Sequence, residues 1–190
     1  MPHNAGTRLK NALLSDEVTL MPGGYSPVIA RMLEKLGYEA MFMPGSQTNI
    51  YEYGMPDVGL MTMREMVDAA RRITAVSDIP VLMDGDTGWG NVLNVYRSVQ
   101  EAAWAGVAAM SIEDQEAPKK SGTSAGRRCI PLDEAIGKIK AAVAARDDAE
   151  SDMLIIARTD LIGGEVNGHV GNLTEAIQRC IAFREEGGAD

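Results

Sequence analysis

The sequence has little cysteine and little histidine. Its 190 residues include two cysteines, Cys129 and Cys180, and two histidines, His3 and His169. The cysteines have neither the pairing expected of a disulfide framework nor the close spacing of metal ligands. A histidine-based zinc site or catalytic triad therefore has few possible members, and we set these chemistries aside.

The sequence also lacks a surplus of positive charge and any long apolar run. The formal net charge is −9 and the pI is about 4.8. Such a chain repels a phosphate backbone, and no Lys/Arg stripe with interleaved aromatic residues is present, so we expect no nucleic-acid partner. No run approaches the roughly 20 apolar residues that span a bilayer, and the N-terminal segment lacks the apolar core of a secretory signal. We expect a cytoplasmic protein without membrane association.

The chain does contain enough apolar residues to bury a core. Its hydrophobic content of 45% and its length predict a single domain over residues 1–190. Apolar runs of strand length recur at residues 18–21, 39–43, 79–83, 107–112 and 153–157. Because these runs are apolar throughout, they indicate strands that are buried on both faces.

Helix patterns lie between the apolar runs. Thr62 and Glu65 form a capping-box pattern that predicts a helix over residues 62–76. A second helix is predicted over residues 131–146, which begin with a proline suited to the first helical position, and a third from Asn172. Strands that alternate with helices pair in parallel through right-handed crossovers. The sequence therefore predicts an α/β fold.

Two architectures fit this alternation. One is a doubly wound open sheet and the other is a TIM (β/α)8 barrel, which has about 250 residues. The last segment, GGAD at residues 187–190, is typical of the start of a sixth strand. No G-x-G-x-x-G motif follows a predicted strand, which argues against a dinucleotide-binding fold.

The segment VLMDGDTGWGN, at residues 81–91, ends an apolar strand with two carboxylates. Asp84 and Asp86 are two residues apart and so project to the same face at the strand's carboxyl end. Two close carboxylates repel each other unless one is protonated or a cation lies between them, and a hard ion such as Mg²⁺ meets that need. Glu113 ends the next predicted strand, and Arg158 ends the one after it. The alternatives are a polar turn that caps a helix and, for Arg158, a buried ion pair.

At these residues the sequence resembles the isocitrate lyase and phosphoenolpyruvate mutase superfamily. The resemblance rests on four segments in the expected order and spacing: GMPDVGLMT (54–62), DGDTGWGNVLNVYRSV (84–99), AGVAAMSIEDQEAPKKSG (105–122) and IIARTD (155–160). Each is weak alone, but the four together are highly specific. The similarity extends from about Leu20 to the last residue.

The resemblance implies a TIM barrel that binds Mg²⁺, with Mn²⁺ as a possible substitute, and that stabilises the enolate of a pyruvate-like fragment. It also implies a small carboxylate substrate and a homo-oligomer, since full-length relatives are usually tetramers. The matching positions are Asp84, Asp86 and Glu113 for the metal, Gly45, Ser46 and Arg158 for the substrate carboxylate, and Asp57, Lys119 and Arg158 for catalysis.

One loop departs from the family pattern. The family's lyases carry K-K-C-G-H, whose cysteine transfers a proton, whereas this chain has Lys119, Lys120, Ser121, Gly122 and Thr123. A serine hydroxyl is a far weaker acid than a thiol. This difference favours the functions of superfamily members that lack the cysteine, namely phosphonomutases, oxaloacetate decarboxylase-like enzymes and related hydrolases. The glycine-bearing loop suggests either a mobile gate over the site or a solvated basic loop.

The second departure is length, because the chain stops where a sixth strand would begin. We expect a truncated barrel that is stabilised by association with other copies, since its sheet edges would otherwise be exposed. Three hypotheses follow. The first is a Mg²⁺-dependent lyase that cleaves a carbon–carbon bond of a small 2-oxo or 2-hydroxy acid. The second is a phosphonomutase or an oxaloacetate decarboxylase-like enzyme, and the third is an inactive fragment that acts only by self-association.

Overall fold

A four-stranded parallel sheet forms the centre of the protein. The structure, a computed structural model, describes residues 4–122 and 124–190, so His3 and Thr123 lie outside the described residues. The strands are β1 (Met41–Met43), β2 (Val81–Asp84), β3 (Ala109–Glu113) and β4 (Leu154–Arg158), and they are hydrogen-bonded in the order β1-β2-β3-β4. The predicted α/β class with parallel pairing is confirmed.

Seven helices and one hairpin complete the described elements. The hairpin pairs β5 (Glu165–Val166) with β6 (His169–Val170) in an antiparallel manner. The helices are α1 (Ala5–Leu13), α2 (Pro27–Lys35), α3 (Gly45–Tyr53), α4 (Met63–Thr74), α5 (Val92–Trp104), α6 (Leu132–Asp148) and α7 (Leu173–Glu185). Among the residues described, none of these helices has the length and apolar character needed to cross a membrane.

The helix starts follow the signals in the sequence. The box of Thr62 and Glu65 opens α4, and Asn172 forms a similar box with Glu175 at the start of α7. In each box two side chains satisfy two backbone N–H groups that the first helical turn leaves free. Pro131 is the N-cap of α6 and not its first helical residue, so the helix begins one residue later than predicted.

The core lies between the sheet and its helices and is rich in methionine. Met41, Met43, Met66, Met83 and Met110 are fully buried in one cluster. Met43, Met83 and Met110 are in register on one face of the sheet, whereas Leu82 on the other face is partly exposed. An unbranched thioether side chain fills irregular gaps, which suits positions where loop, helix and strand meet.

The strand predicted at residues 18–21 is wrong. Val18 and Leu20 are exposed, and the chain reaches the sheet only at Gly23, which forms an isolated parallel bridge with Phe42. Pro22 accepts a bond from the Phe42 N–H, but it has no N–H of its own. The ladder therefore cannot continue back through this residue.

The sixth strand predicted at residues 187–190 is also not formed. Asp190 does lie beside β4, where its N–H donates to Ile155 O at 3.0 Å and its carboxylate accepts from Ile155 N–H at 3.1 Å. A side chain thus takes one of the positions that a strand backbone would occupy. The four later apolar runs correspond to β1–β4.

Candidate active site

The carboxyl ends of β2, β3 and β4 bring the predicted site residues together. Register places Glu113 of β3 directly beside Arg158 of β4, and Asp84 of β2 beside Ser111 of β3. Because parallel strands end at one edge of the sheet, two carboxylates and one guanidinium gather there.

The loop after β2 is held tightly against β3. A Cβ at Gly85 would lie 2.5 Å from Ser111 O, so only glycine fits this close approach. The next residue, Asp86, has a left-handed backbone with φ of 46°, which is strained for a residue with a side chain. Asp84 fixes the loop by accepting from Asp86 N–H at 3.1 Å and from Gly45 N–H at 3.0 Å.

Lys119 places a buried positive charge among the carboxylates. Its Nζ forms ion pairs with Asp86 and with Asp57, the latter at 2.9 Å, and lies 4.0 Å from Glu113. Burial by itself lowers the pKa of Lys119, but the carboxylates of Asp86 and Glu113 outweigh it and raise the pKa above its usual value. Lys119 is therefore a fixed ammonium at neutral pH.

Two carboxyl groups of the cluster have raised pKa values. Burial raises the pKa of Asp86 to about 6, against the lowering effect of Lys119 and with a further rise from Asp84. Burial likewise raises the pKa of Glu113 to about 8, although Lys119 and Arg158 lower it. Additional positive charge next to these groups would favour their ionised forms.

Arg158 is held by two acidic side chains. Its Nε and Nη2 donate to the two carboxylate oxygens of Asp160 at 2.9 and 3.0 Å, and its Nη1 lies 3.2 Å from Glu113. Two of the five guanidinium N–H groups thus donate to Asp160, and the other three are left for Glu113 or another acceptor. Burial by itself lowers the pKa of Arg158, but the negative charges of Glu113 and Asp160 outweigh it and raise the pKa above its usual value, so the guanidinium stays charged.

The two predicted carboxylate-binding amides are placed differently. The Gly45 N–H, at the start of α3, already donates to Asp84. Ser46 is the second residue of that helix, where a backbone N–H has no partner within the helix. Their contact with a substrate stays a prediction.

Sequence reasoning missed a buried ion pair beneath the site. Arg179 of α7 donates from Nε to Asp114 at 2.8 Å. Asp114 also accepts from the Thr159 hydroxyl at 2.6 Å and from the Asp160 N–H at 2.9 Å. Asp114 therefore helps to fix the position of Asp160, which in turn holds Arg158. The adjacency of Asp114 to Glu113 was a usable signal, whereas nothing local marked Arg179.

Cys129 does not replace the missing loop cysteine. It is buried in a separate cluster with Leu161, Val166 and Ala176. Burial, followed by the negative charge of Asp114, raises the pKa of its thiol to about 12. Such a thiol is a poor proton donor at neutral pH.

The surroundings of Asp86 fit a cation. Both of its carboxylate oxygens are buried and neither has a hydrogen bond of normal geometry, although the Lys119 ammonium lies against one of them. Within the described ranges, no three His, Cys, Asp or Glu side chains are grouped closely enough to ligate one ion together. An ion held by one or two carboxylates and by water, as is usual for Mg²⁺, fits this arrangement.

Comparison with known proteins places the chain in a family. A family model described as phosphoenolpyruvate phosphomutase matches residues 9–190. The chain is 38% identical over 184 residues to 2,3-dimethylmalate lyase of Eubacterium barkeri, which covers 97% of this chain and 61% of that protein. It is 39% identical over 186 residues to oxaloacetate decarboxylase of Paraburkholderia xenovorans (strain LB400), which covers 98% and 60%.

Solved structures agree with these matches. A structure of oxaloacetate acetylhydrolase in complex with the inhibitor 3,3-difluorooxalacetate matches with a TM-score of 0.90 and 33% identity, covering 98% of this chain and 62% of that one. A structure of phosphonopyruvate hydrolase in complex with oxalate and Mg²⁺ matches with a TM-score of 0.83 and 31% identity, covering 98% and 61%.

The chain therefore belongs to the phosphoenolpyruvate mutase/isocitrate lyase superfamily, whose members here include lyases, decarboxylases and hydrolases of small acids. Its fold is part of the TIM barrel of that superfamily. The chain spans about 60% of the length of the relatives it matches.

Proposed function

We propose that the protein is a Mg²⁺-dependent lyase that cleaves a carbon–carbon bond of a small 2-oxo or 2-hydroxy carboxylic acid through a pyruvate-enolate-like intermediate. One observation carries this proposal: Lys119, Asp57, Asp86, Glu113 and Arg158 form one connected charged cluster at the carboxyl edge of the sheet. Relatives that act on small acids support the same reaction class.

Arg158 binds the substrate carboxylate in this scheme. Asp160 occupies the side-on edge of its guanidinium, so the substrate meets the remaining N–H groups. These donors are oriented before the substrate arrives, which lowers the cost of ordering them on binding. The N–H of Ser46 adds a second donor at the start of α3.

Lys119 and Asp57 handle charge and protons. Because the pKa of Lys119 is raised, its Nζ keeps its proton and faces the substrate as an ammonium. As a permanent positive charge, it favours the negative charge that develops on the enolate. Asp57 holds Nζ in place at 2.9 Å.

Asp84, Asp86 and Glu113 would hold the metal, one or two of them directly and the rest through bound water. Bound Mg²⁺, or Mn²⁺ in its place, supplies positive charge that stabilises the enolate oxygen. Asp84 also keeps the loop after β2 in place, through its bonds to Asp86 N–H and Gly45 N–H.

A second candidate is a phosphonomutase, and Ser121 favours it. The loop has serine where the lyases of the superfamily have a proton-transferring cysteine, and the matching family model carries the name of a phosphomutase. In that reaction the same charged cluster would bind a phosphonate or phosphoenolpyruvate-type acid.

The test compares acids and phosphonates in one assay. The 190-residue chain is incubated with Mg²⁺ and with oxaloacetate, 2,3-dimethylmalate, 2-methylisocitrate, phosphoenolpyruvate and phosphonopyruvate in turn. Pyruvate or a related 2-oxo acid is measured together with the phosphorus-31 spectrum, and Asp86→Ala serves as the inactive control. Carbon–carbon cleavage that requires Mg²⁺ and Asp86 supports the lyase, and a new carbon–phosphorus resonance supports the mutase. No turnover of any acid contradicts both proposals for this chain.

We further propose a cytoplasmic homo-oligomer. Leu173, Ile177 and Ile181 of α7 are exposed and are spaced four residues apart on one helix face. An apolar stripe of this kind is typical of a surface that another element or another copy covers.

A further inference from the structure

Gln115 is a fully buried polar side chain at the centre of the site, with 1% of its surface exposed. Its Oε1 accepts from the Lys120 N–H at 3.1 Å, and its Nε2 lies 3.0 Å from the Lys120 O. The same Nε2 lies 3.1 Å from Glu113 Oε1 and 2.6 Å from Asp160 Oδ2. One amide thus contacts the loop backbone and the two acids that hold Arg158.

The partners of this amide fix its orientation and its chemistry. The Lys120 N–H can only donate, so the atom that faces it must be the amide oxygen. The amide nitrogen then faces the other three partners, the Lys120 carbonyl and the carboxyl groups of Glu113 and Asp160, which share its two N–H groups. A carboxylate could not donate to these groups, and an apolar side chain would leave buried partners unpaired.

We propose that Gln115 is a positioning residue of the active site, which fastens the loop segment 116–122 so that Lys119 lies on the acidic cluster and which orients Glu113 and Asp160 around Arg158. Lys119 immediately precedes the residue whose backbone Gln115 grips at both N–H and O. Its ammonium therefore reaches Asp57 and Asp86 only while this grip holds.

Three substitutions separate this role from simple core filling. Gln115→Met keeps nearly the same length and volume but can neither donate to nor accept from Lys120. Gln115→Glu sets a third carboxylate against Glu113 and Asp160 and repels them. Gln115→Asn keeps an amide but is one methylene shorter, so it cannot reach all four partners. The matched control is Gln178→Met, at an exposed position on α7.

Limited trypsin digestion of the whole chain measures the grip directly. Lys119 and Lys120 are potential cleavage sites within the segment, and Arg72 in α4 reports general unfolding in the same digest. We expect Gln115→Met to raise cleavage after Lys119 and Lys120 by about tenfold or more, which is the loss expected for about one net hydrogen bond, with cleavage after Arg72 unchanged. Gln115→Asn gives the same local increase, and Gln178→Met gives none.

The proposal would be overturned if the variants were cleaved after Lys119 and Lys120 at the wild-type rate. It would also be overturned if this cleavage rose only in parallel with cleavage after Arg72. If Gln115→Met does not fold, Gln115→Asn is judged by the same two criteria.

The catalytic half of the inference rests on the proposed function. In an active preparation, Gln115→Met lowers kcat by about tenfold while KM stays within about threefold. Arg158 keeps its two direct bonds to Asp160, whereas the loop that carries Lys119 loses its bonds to the Gln115 amide. Loss of folded enzyme alone would leave kcat per folded molecule unchanged, which would contradict the positioning role. An inactive wild-type chain counts against the proposed function, whereas the digestion result decides the grip of Gln115 on its own.

Discussion

At the scale of single residues, Asp86 combines three unfavourable features. It has a left-handed backbone, a raised pKa and buried oxygens without normal hydrogen bonds. Strain and unsatisfied polarity of this kind collect at functional sites, where the surrounding structure holds them in place. These features favour a functional role for Asp86 over a stabilising one.

The sequence predicted which residues would gather at the site but not how they interact. Asp84, Asp86 and Glu113 could be found because strand ends and a spacing of two are local patterns. That Lys119 lies among these acids, and that Asp160 occupies one edge of Arg158, depends on how a loop folds back over the sheet. Such contacts are set by tertiary packing, which no local pattern encodes.

The two cysteines give a residue-scale prediction about reactivity. Cys180 is exposed, whereas Cys129 is buried with a pKa of about 12. At pH 8 only about one Cys129 thiol in ten thousand is ionised, and the thiolate is the reactive form. We expect a disulfide reagent to titrate one thiol rapidly in the native protein and two after denaturation.

Mass spectrometry of the labelled peptides identifies the rapid thiol. A native protein in which Cys129 reacts as fast as Cys180 would contradict the described burial, and Cys180→Ser is the matched control that should remove the rapid phase.

At the scale of elements, two helix starts could be predicted to the residue, whereas the strands depend on partners elsewhere in the chain. The boxes at Thr62 and Asn172 are complete within four residues, so the sequence alone fixes where α4 and α7 begin. A strand exists only if a partner backbone meets it. The apolar run at residues 18–21 has no such partner, and the short hairpin of β5 and β6 lacked a strong apolar signal.

The ion pair between Arg179 of α7 and Asp114, the residue that follows β3, gives a prediction about stability. Arg179 and Asp114 are both buried, so removing the cation leaves an uncompensated carboxylate. We expect Arg179→Met to lower the free energy of unfolding by about 3–5 kcal/mol, as is typical when one partner of a buried pair is removed.

Urea denaturation measures this loss. Arg184→Met, at an exposed position on the same helix, is the control and should change stability by less than about 0.5 kcal/mol. Equal effects of the two substitutions would show that the buried pair has no special part in docking α7.

At the scale of the whole molecule, a strongly acidic chain concentrates its functional cations at one edge of the sheet. The net charge is −9, yet Lys119 and Arg158 lie together among the site carboxylates. Positive charge fixed in a largely buried site attracts an anionic substrate more strongly than the same charge in water. The acidic cluster keeps these cations in place: one carboxylate oxygen of Asp86 pairs with Lys119, and its other oxygen has no hydrogen-bond partner.

A Mn²⁺ titration of the 190-residue chain, followed by the electron paramagnetic resonance signal of the free ion, tests whether Asp86 belongs to a metal site. We expect one bound Mn²⁺ per chain that Mg²⁺ displaces, and we expect Asp86→Asn to lose that binding while its thermal unfolding curve is preserved. Stoichiometric binding that persists unchanged in Asp86→Asn, or no binding by the wild-type chain, would contradict a metal site at Asp86.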